Sequence, residues 1–194
     1  MSNIGFIGAG NMGYAMLKGA LSSISPENVG VTDRSVDKAE SIAQETGVRH
    51  FESNADCVKN CKYVVFSIKP QVYENVVDEI RKFVDDSKII ISLAPNVSIE
   101  MLNGMFGKNV RVVRLMPNTP ALVGEGMTGA TPNEFVTEAE LKYVCEILSG
   151  FSKVEVISEK LMDTVVAVSG SSPAYVFMFI EAMADAAVEQ GMPR

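Results

Sequence analysis

Apolar residues along this chain fall into two alternating patterns. Five short runs, NIGFI (3–7), NVGVTD (28–33), KYVVFSI (62–68), KIIISL (88–93) and VRVVRLM (110–116), are rich in Val and Ile and too uniformly apolar to leave one face wet. Between them lie NMGYAMLKGALSS (11–23), SVDKAESIAQET (35–46), QVYENVVDEIRKFV (71–84) and SIEMLNGMF (98–106), whose apolar positions recur at spacings of three and four. Strands buried on both faces and joined through helices predict an α/β fold with a doubly wound, mainly parallel sheet. After residue 116 a further strand (GMTGAT), helix (TEAELKYVCEILSGF) and strand (KVEVIS) extend that sheet. From Lys160 onward the pattern is helical throughout.

The last helical segment, from Pro173 to Gln190, is apolar on most faces apart from a stripe of Glu181, Asp185 and Glu189 at intervals of four. Such a helix needs a cover, and only four residues follow it, so the expected cover is further chain or another subunit. The acidic residues break up the roughly 20 uninterrupted apolar positions that a membrane span requires, so no membrane partner is expected.

The most specific chemistry lies at the start. Gly8, Gly10 and Gly13 form G-x-G-x-x-G between the first strand and the first helix, the context in which that spacing is informative. There Gly8 permits a tight turn, Gly10 lets backbone approach a pyrophosphate, and Gly13 lets the helix pack on the strand. The anion then sits at a helix N-terminus. This predicts a Rossmann-type dinucleotide-binding domain.

The second strand ends at Asp33, about 20 residues past the loop, where such a domain reads the adenosine ribose. Asp33 can accept the 2′-hydroxyl of NAD, whereas Arg34 and Ser35 offer a guanidinium fork and a hydroxyl to the 2′-phosphate of NADP. The balance favours NADPH, with NADH tolerated. Two more loops, SIKPQ (Ser67, Lys69, Pro70) and SLAPN (Ala94, Pro95, Asn96), fall at strand carboxyl ends and are expected to line the nicotinamide half.

Composition narrows the partners. Seventeen basic against 24 acidic residues give a formal charge of −7, which repels phosphate backbones and argues against nucleic acid. Three cysteines, in a sequence without a basic, apolar, cleavable leader, point to a reducing cytoplasm. Cys57 and Cys61 share a probable helix but lack further ligands, so no metal is expected. His50, near the third strand, is the one histidine, which leaves no Ser-His-Asp or Cys-His arrangement.

Taken with the glycine loop and SIKP, the motifs RLMPNTP (114–120) and SGSSPAY (169–175) make the chain resemble pyrroline-5-carboxylate reductase over nearly its whole length. The resemblance implies hydride transfer from NADPH, or NADH, to the imine carbon of 1-pyrroline-5-carboxylate, giving L-proline, the last step of proline biosynthesis. It implies an N-terminal dinucleotide-binding domain (1–159) and the start of an all-helical dimerisation and substrate domain (160–194), with homodimers or higher homo-oligomers built through the latter.

Residue by residue, the resemblance places cofactor contact on Gly8, Gly10, Asn11, Met12, Arg34, Ser35, Asn54, Lys69 and Ala94. Asn118 and Thr119 fall beside the nicotinamide and Glu159 close to the substrate. Ser172 and Pro173 suit the cap and first turn of a helix, so free N–H groups near Ser171 are expected to face an anion such as the substrate carboxylate. The family carries further helices and a Ser-Pro-Gly-Gly-Thr-Thr-like loop for that carboxylate. Neither is present before Arg194, so this sequence is expected to be a shortened form.

A protonated cyclic imine is already electrophilic, so such a reaction needs positioning and a dry site more than a strong base. Two other readings compete. A related β-hydroxyacid dehydrogenase would need a catalytic lysine in the helical domain, where only Lys160 is near. A non-catalytic dinucleotide-binding module would bind cofactor without turnover.

Overall fold

A computed structural model describes residues 3–194. The strands are β1 (Ile4–Ile7), β2 (Val29–Thr32), β3 (Arg49–His50), β4 (Tyr63–Phe66), β5 (Ile89–Ser92), β6 (Arg111–Met116), β7 (Gly126–Pro132) and β8 (Ser152–Val156). They form one sheet in the order β3-β2-β1-β4-β5-β6-β7-β8. From β3 through β6 every pairing is parallel; β7 runs antiparallel to β6, and β8 runs parallel to β7.

Side-chain alternation sorts each central strand between two cores. Phe6, Val65, Ile91 and Val113 point to one face, where they meet Met16, Leu17, Ile147 and Phe151. Ile7, Val64, Phe66, Ile90 and Val112 point to the other, against Val58, Tyr73, Val77 and Leu102. The runs are uniformly apolar because each strand supplies both cores. The covering helices are α1 (Asn11–Ala20), α2 (Val36–Thr46), α3 (Asn54–Asn60), α4 (Tyr73–Ile80), α5 (Ile99–Phe106) and α6 (Glu138–Leu148). Side-chain oxygens of Ser53, Ser98 and Thr137 accept the amides of Asp56, Met101 and Glu140, fixing the starts of α3, α5 and α6.

The remainder is one helical run. A 3₁₀ turn (Glu159–Leu161), α7 (Met162–Val165), a π-turn (Val166–Gly170) and α8 (Ser172–Glu189) follow without a loop. Of this run only Met162 is buried. Tyr175, Phe177 and Phe179 are more than 60% exposed, at 62, 63 and 66%. By length and hydropathy the run would reach across a bilayer, although Glu181 and Asp185 lie within it.

Candidate active site

Six parallel strands end at one edge, and most of the residues singled out from the sequence collect there. At Gly8 the backbone takes φ +94°, and a Cβ would meet Ser67 O and Ile68 Cγ2, each at 2.7 Å, so only glycine fits. Gly10 is the N-cap of α1. No side chain caps that helix and no acidic residue stands in its first turn. A Cβ built at Gly10 meets nothing within 4 Å. Open space therefore lies before the uncapped first turn formed by Asn11, Met12 and Gly13, where a pyrophosphate fits. Ser67, expected to touch a cofactor, has its hydroxyl turned back to donate to Gly8 O and Ile7 O, supporting the loop from behind.

At the end of β2, Asp33 faces inward. Its Oδ2 accepts the Ala9 amide at 2.7 Å and its Oδ1 the Ser35 amide at 3.0 Å, tying the glycine loop to the adjacent turn. Arg34 and Ser35 are exposed beside it. Among the described residues nothing pairs with the Arg34 guanidinium or the Lys69 ammonium. Asn54, the first residue of α3, donates to Glu79 Oε2 at 2.6 Å. Pro70 opens a 3₁₀ turn after Lys69.

Beneath the SIKPQ and SLAPN loops lies Tyr73, fully buried, whose hydroxyl bonds Phe66 O and Ser92 Oγ, both at 3.2 Å. Burial pushes its phenol pKa up, so it stays neutral and pins the ends of β4 and β5 together. The only sequence signal for this role is an aromatic residue soon after SIKP. Ala94 is buried and Asn96 exposed. Next to them, Arg114 donates to Pro95 O and to Glu159 Oε1, and the Ile99 amide donates to the same Glu159 oxygen at 2.9 Å.

Just past β6, Asn118 is oriented by its neighbours. Its Oδ1 accepts the Met127 amide at 2.9 Å, which leaves the amide nitrogen to donate to Ser169 Oγ at 3.2 Å, with a second N–H in reserve. Thr119 is exposed at the start of the following 3₁₀ turn, Thr119–Val123. A cleft of about 390 Å³ separates this turn from α8, with Asn118, Pro120, Val168, Ser169, Ser172 and Phe177 in its walls.

One expectation needs correction. The helix does not start afresh at Ser172: it continues through the π-turn, so the Ser171 amide and hydroxyl both donate to Val166 O, and Ser172 Oγ donates to Val168 O. No free N–H group is therefore presented at Ser171. Glu159 Oε1 accepts from Arg114 and from the Ile99 amide, and its side chain is one-third exposed, at 33%.

A larger cleft, about 620 Å³, opens at the opposite end of the strands among Lys59, Lys62, Lys88 and Arg111. Its cations are already engaged: Lys62 and Arg111 pair with Glu140, and Lys88 donates to the carbonyls of Lys59 and Cys61. Among the described residues no three His, Cys, Asp or Glu side chains gather where they could hold a metal ion.

Comparison with known proteins agrees with this geometry. Residues 3–96 match a family model described as NADP oxidoreductase coenzyme F420-dependent, and residues 159–194 match one described as pyrroline-5-carboxylate reductase dimerisation. The pyrroline-5-carboxylate reductase of Escherichia coli K12 is 42% identical over 193 residues, 98% of this chain and 72% of the relative. A solved pyrroline-5-carboxylate reductase from Coxiella burnetii superposes with a TM-score of 0.91 at 34% identity, covering 99% of this chain and 72% of that one. The Plasmodium falciparum pyrroline carboxylate reductase, solved with NADP bound, gives 0.88 at 34% identity, covering 99% and 71%. Sequence identity over nearly the whole chain, together with the shared fold, makes this chain a member of the pyrroline-5-carboxylate reductase family.

Proposed function

We propose that this chain reduces 1-pyrroline-5-carboxylate to L-proline with NADPH as the preferred hydride donor and NADH as a tolerated one. The observation that carries the reading is the open, uncapped start of α1 behind Gly8 and Gly10, set in a chain 42% identical to a reductase of that name. Bound NADPH supplies the hydride. The protein's part is to hold and to shield. The first-turn amides of Asn11, Met12 and Gly13 bind the pyrophosphate, Arg34 and Ser35 take the 2′-phosphate, and Asn54 borders the adenosine side. Lys69, Pro70, Ala94 and Asn96 line the nicotinamide half.

On the substrate side, Asn118, held in one orientation by Met127, offers its spare N–H, with Thr119 beside it. Ser171 directly follows the π-turn, its amide and hydroxyl both bonded to Val166 O. The imine nitrogen carries the proton and its carbon receives the hydride, so no side-chain base is consumed.

We divide the chain into a dinucleotide-binding domain (1–159) and the start of a helical dimerisation domain (160–194), a division supported by the dimerisation match beginning at residue 159. Homodimers or larger homo-oligomers form through α8, in the cytoplasm, without nucleic acid or membrane as partner. The test is NADPH oxidation on addition of pyrroline-5-carboxylate, with NADH alongside. Imine-dependent turnover is expected; dinucleotide binding without turnover would favour a non-catalytic module.

A further inference from the structure

Arg114 lies within β6 with its side chain 7% exposed, and a guanidinium cannot shed its charge in response to burial. It therefore needs hydrogen-bond acceptors close by. One nitrogen, Nη2, donates to Pro95 O in the loop after β5, and another, Nη1, donates to Glu159 Oε1 at 3.0 Å. That same oxygen accepts the amide of Ile99, the first residue of α5. A single atom thus joins β6, the start of α5 and the residue at which the helical run begins, while the guanidinium extends the tie to the SLAPN loop.

We infer that Glu159 and Arg114 form a latch that positions the SLAPN loop and the first helical turn against each other, with Glu159 acting as a hydrogen-bond acceptor at Oε1 and not as an acid, base or substrate-binding charge. The inference builds on the proposed reading, in which that loop lines the nicotinamide half. The latch places the two walls of the reacting centre in one register, because the loop belongs to the dinucleotide domain and the helical run carries Ser169 and Phe177 of the substrate cleft.

Two substitutions separate geometry from charge. Glu159→Gln keeps the side-chain length and leaves an amide oxygen where Oε1 stood, since both bonds end on that atom. Glu159→Asp keeps the charge but withdraws it by one methylene. Hydrogen exchange at the Ile99 amide and the NADPH dissociation constant, read by cofactor fluorescence on the full chain, report the latch directly; the pH profile of imine reduction reports acid or base chemistry. A latch predicts that Asp is worse than Gln, with Ile99 exchange faster by about tenfold or more in Asp and NADPH binding weakened further than in Gln.

Equal or better behaviour of Asp overturns the inference, as does a Gln variant that loses a limb of the pH profile. A variant that fails to fold is scored the same way: loss of Asp alone supports the latch, and loss of Gln alone overturns it. Failure of the wild-type chain to bind NADPH would sink the functional reading instead, leaving the exchange data to decide the latch.

Discussion

Asp33 occupies the position at which a dinucleotide fold places its ribose acceptor, yet both of its oxygens are engaged by protein amides, those of Ala9 and Ser35. Its charge still lies next to the place where Arg34 and Ser35 would receive a 2′-phosphate. Replacing it by Asn keeps one acceptor and removes the repulsion, so Asp33→Asn is expected to shift the ratio of NADH to NADPH dissociation constants toward NADPH by about three- to tenfold. Fluorescence titration with each cofactor measures it, and an unchanged ratio would mean that the carboxylate does not sense the phosphate. Arg34→Ala is expected to weaken NADPH about tenfold while leaving NADH within about twofold. At this scale Gly8 and Gly13 were legible, since each answers a demand made by neighbouring atoms, whereas Gly10 faces open space. The inward turn of Asp33, the backward turn of Ser67 and the pinning role of Tyr73 were not. Each depends on a partner elsewhere in the chain that spacing does not name, such as Gly8 for Ser67, 59 residues away.

Among the elements, α6 carries the most complete start. Thr137 and Glu140 cap each other's backbone reciprocally, and Glu140 is shared with Lys62 and Arg111. Thr137→Ala should cost about 1 kcal/mol of stability, seen in urea unfolding. Burial pushes the Glu140 carboxyl pKa up, but bonds from Lys62, Thr137 and Arg111 outweigh that and hold it at about 2 instead of the ordinary 4.5. A carboxylate depressed in the folded state stabilises fully above its unfolded value, so this contribution is present above about pH 4.5 and fades as the pH falls toward 2. Glu140→Gln should flatten the pH dependence of the unfolding midpoint across that window; an identical slope in both proteins would exclude the assignment. The five apolar runs and the helices between them were readable because a strand that feeds two cores cannot hide its composition. Two features escaped. The reversal at β7 needs the register against β6, and the passage from α7 into α8 needs a π-turn, which adds a residue to a turn without altering the apolar spacing enough to betray it.

The whole molecule is lopsided. The central strands are covered on both faces, while α8 presents Tyr175, Phe177, Met178, Phe179 and Met183 to the outside, each more than half exposed. A patch of that kind marks an association surface. Phe179→Asp is expected to abolish self-association in sedimentation without weakening NADPH binding, because Phe179 is remote in sequence from the glycine loop and makes no wall of the cleft beside Asn118. Self-association that survives the change would move the contact elsewhere. The acidic residues of α8 and the need for a cover could be read from the sequence, but the degree of exposure could not, since it depends on the helix leaving the sheet altogether.

The two-residue strand β3 closes one side of the sheet, and at the other β8 turns Lys153 and Glu155 to solvent. An edge so short, or so charged, offers little template for another chain to add a strand. Open backbone ladders are where folded proteins drift into fibrils, and both ladders here are blunted. A molecule with so much apolar surface on one helix is thereby steered toward side-chain packing of finite stoichiometry and away from the unlimited stacking of sheets.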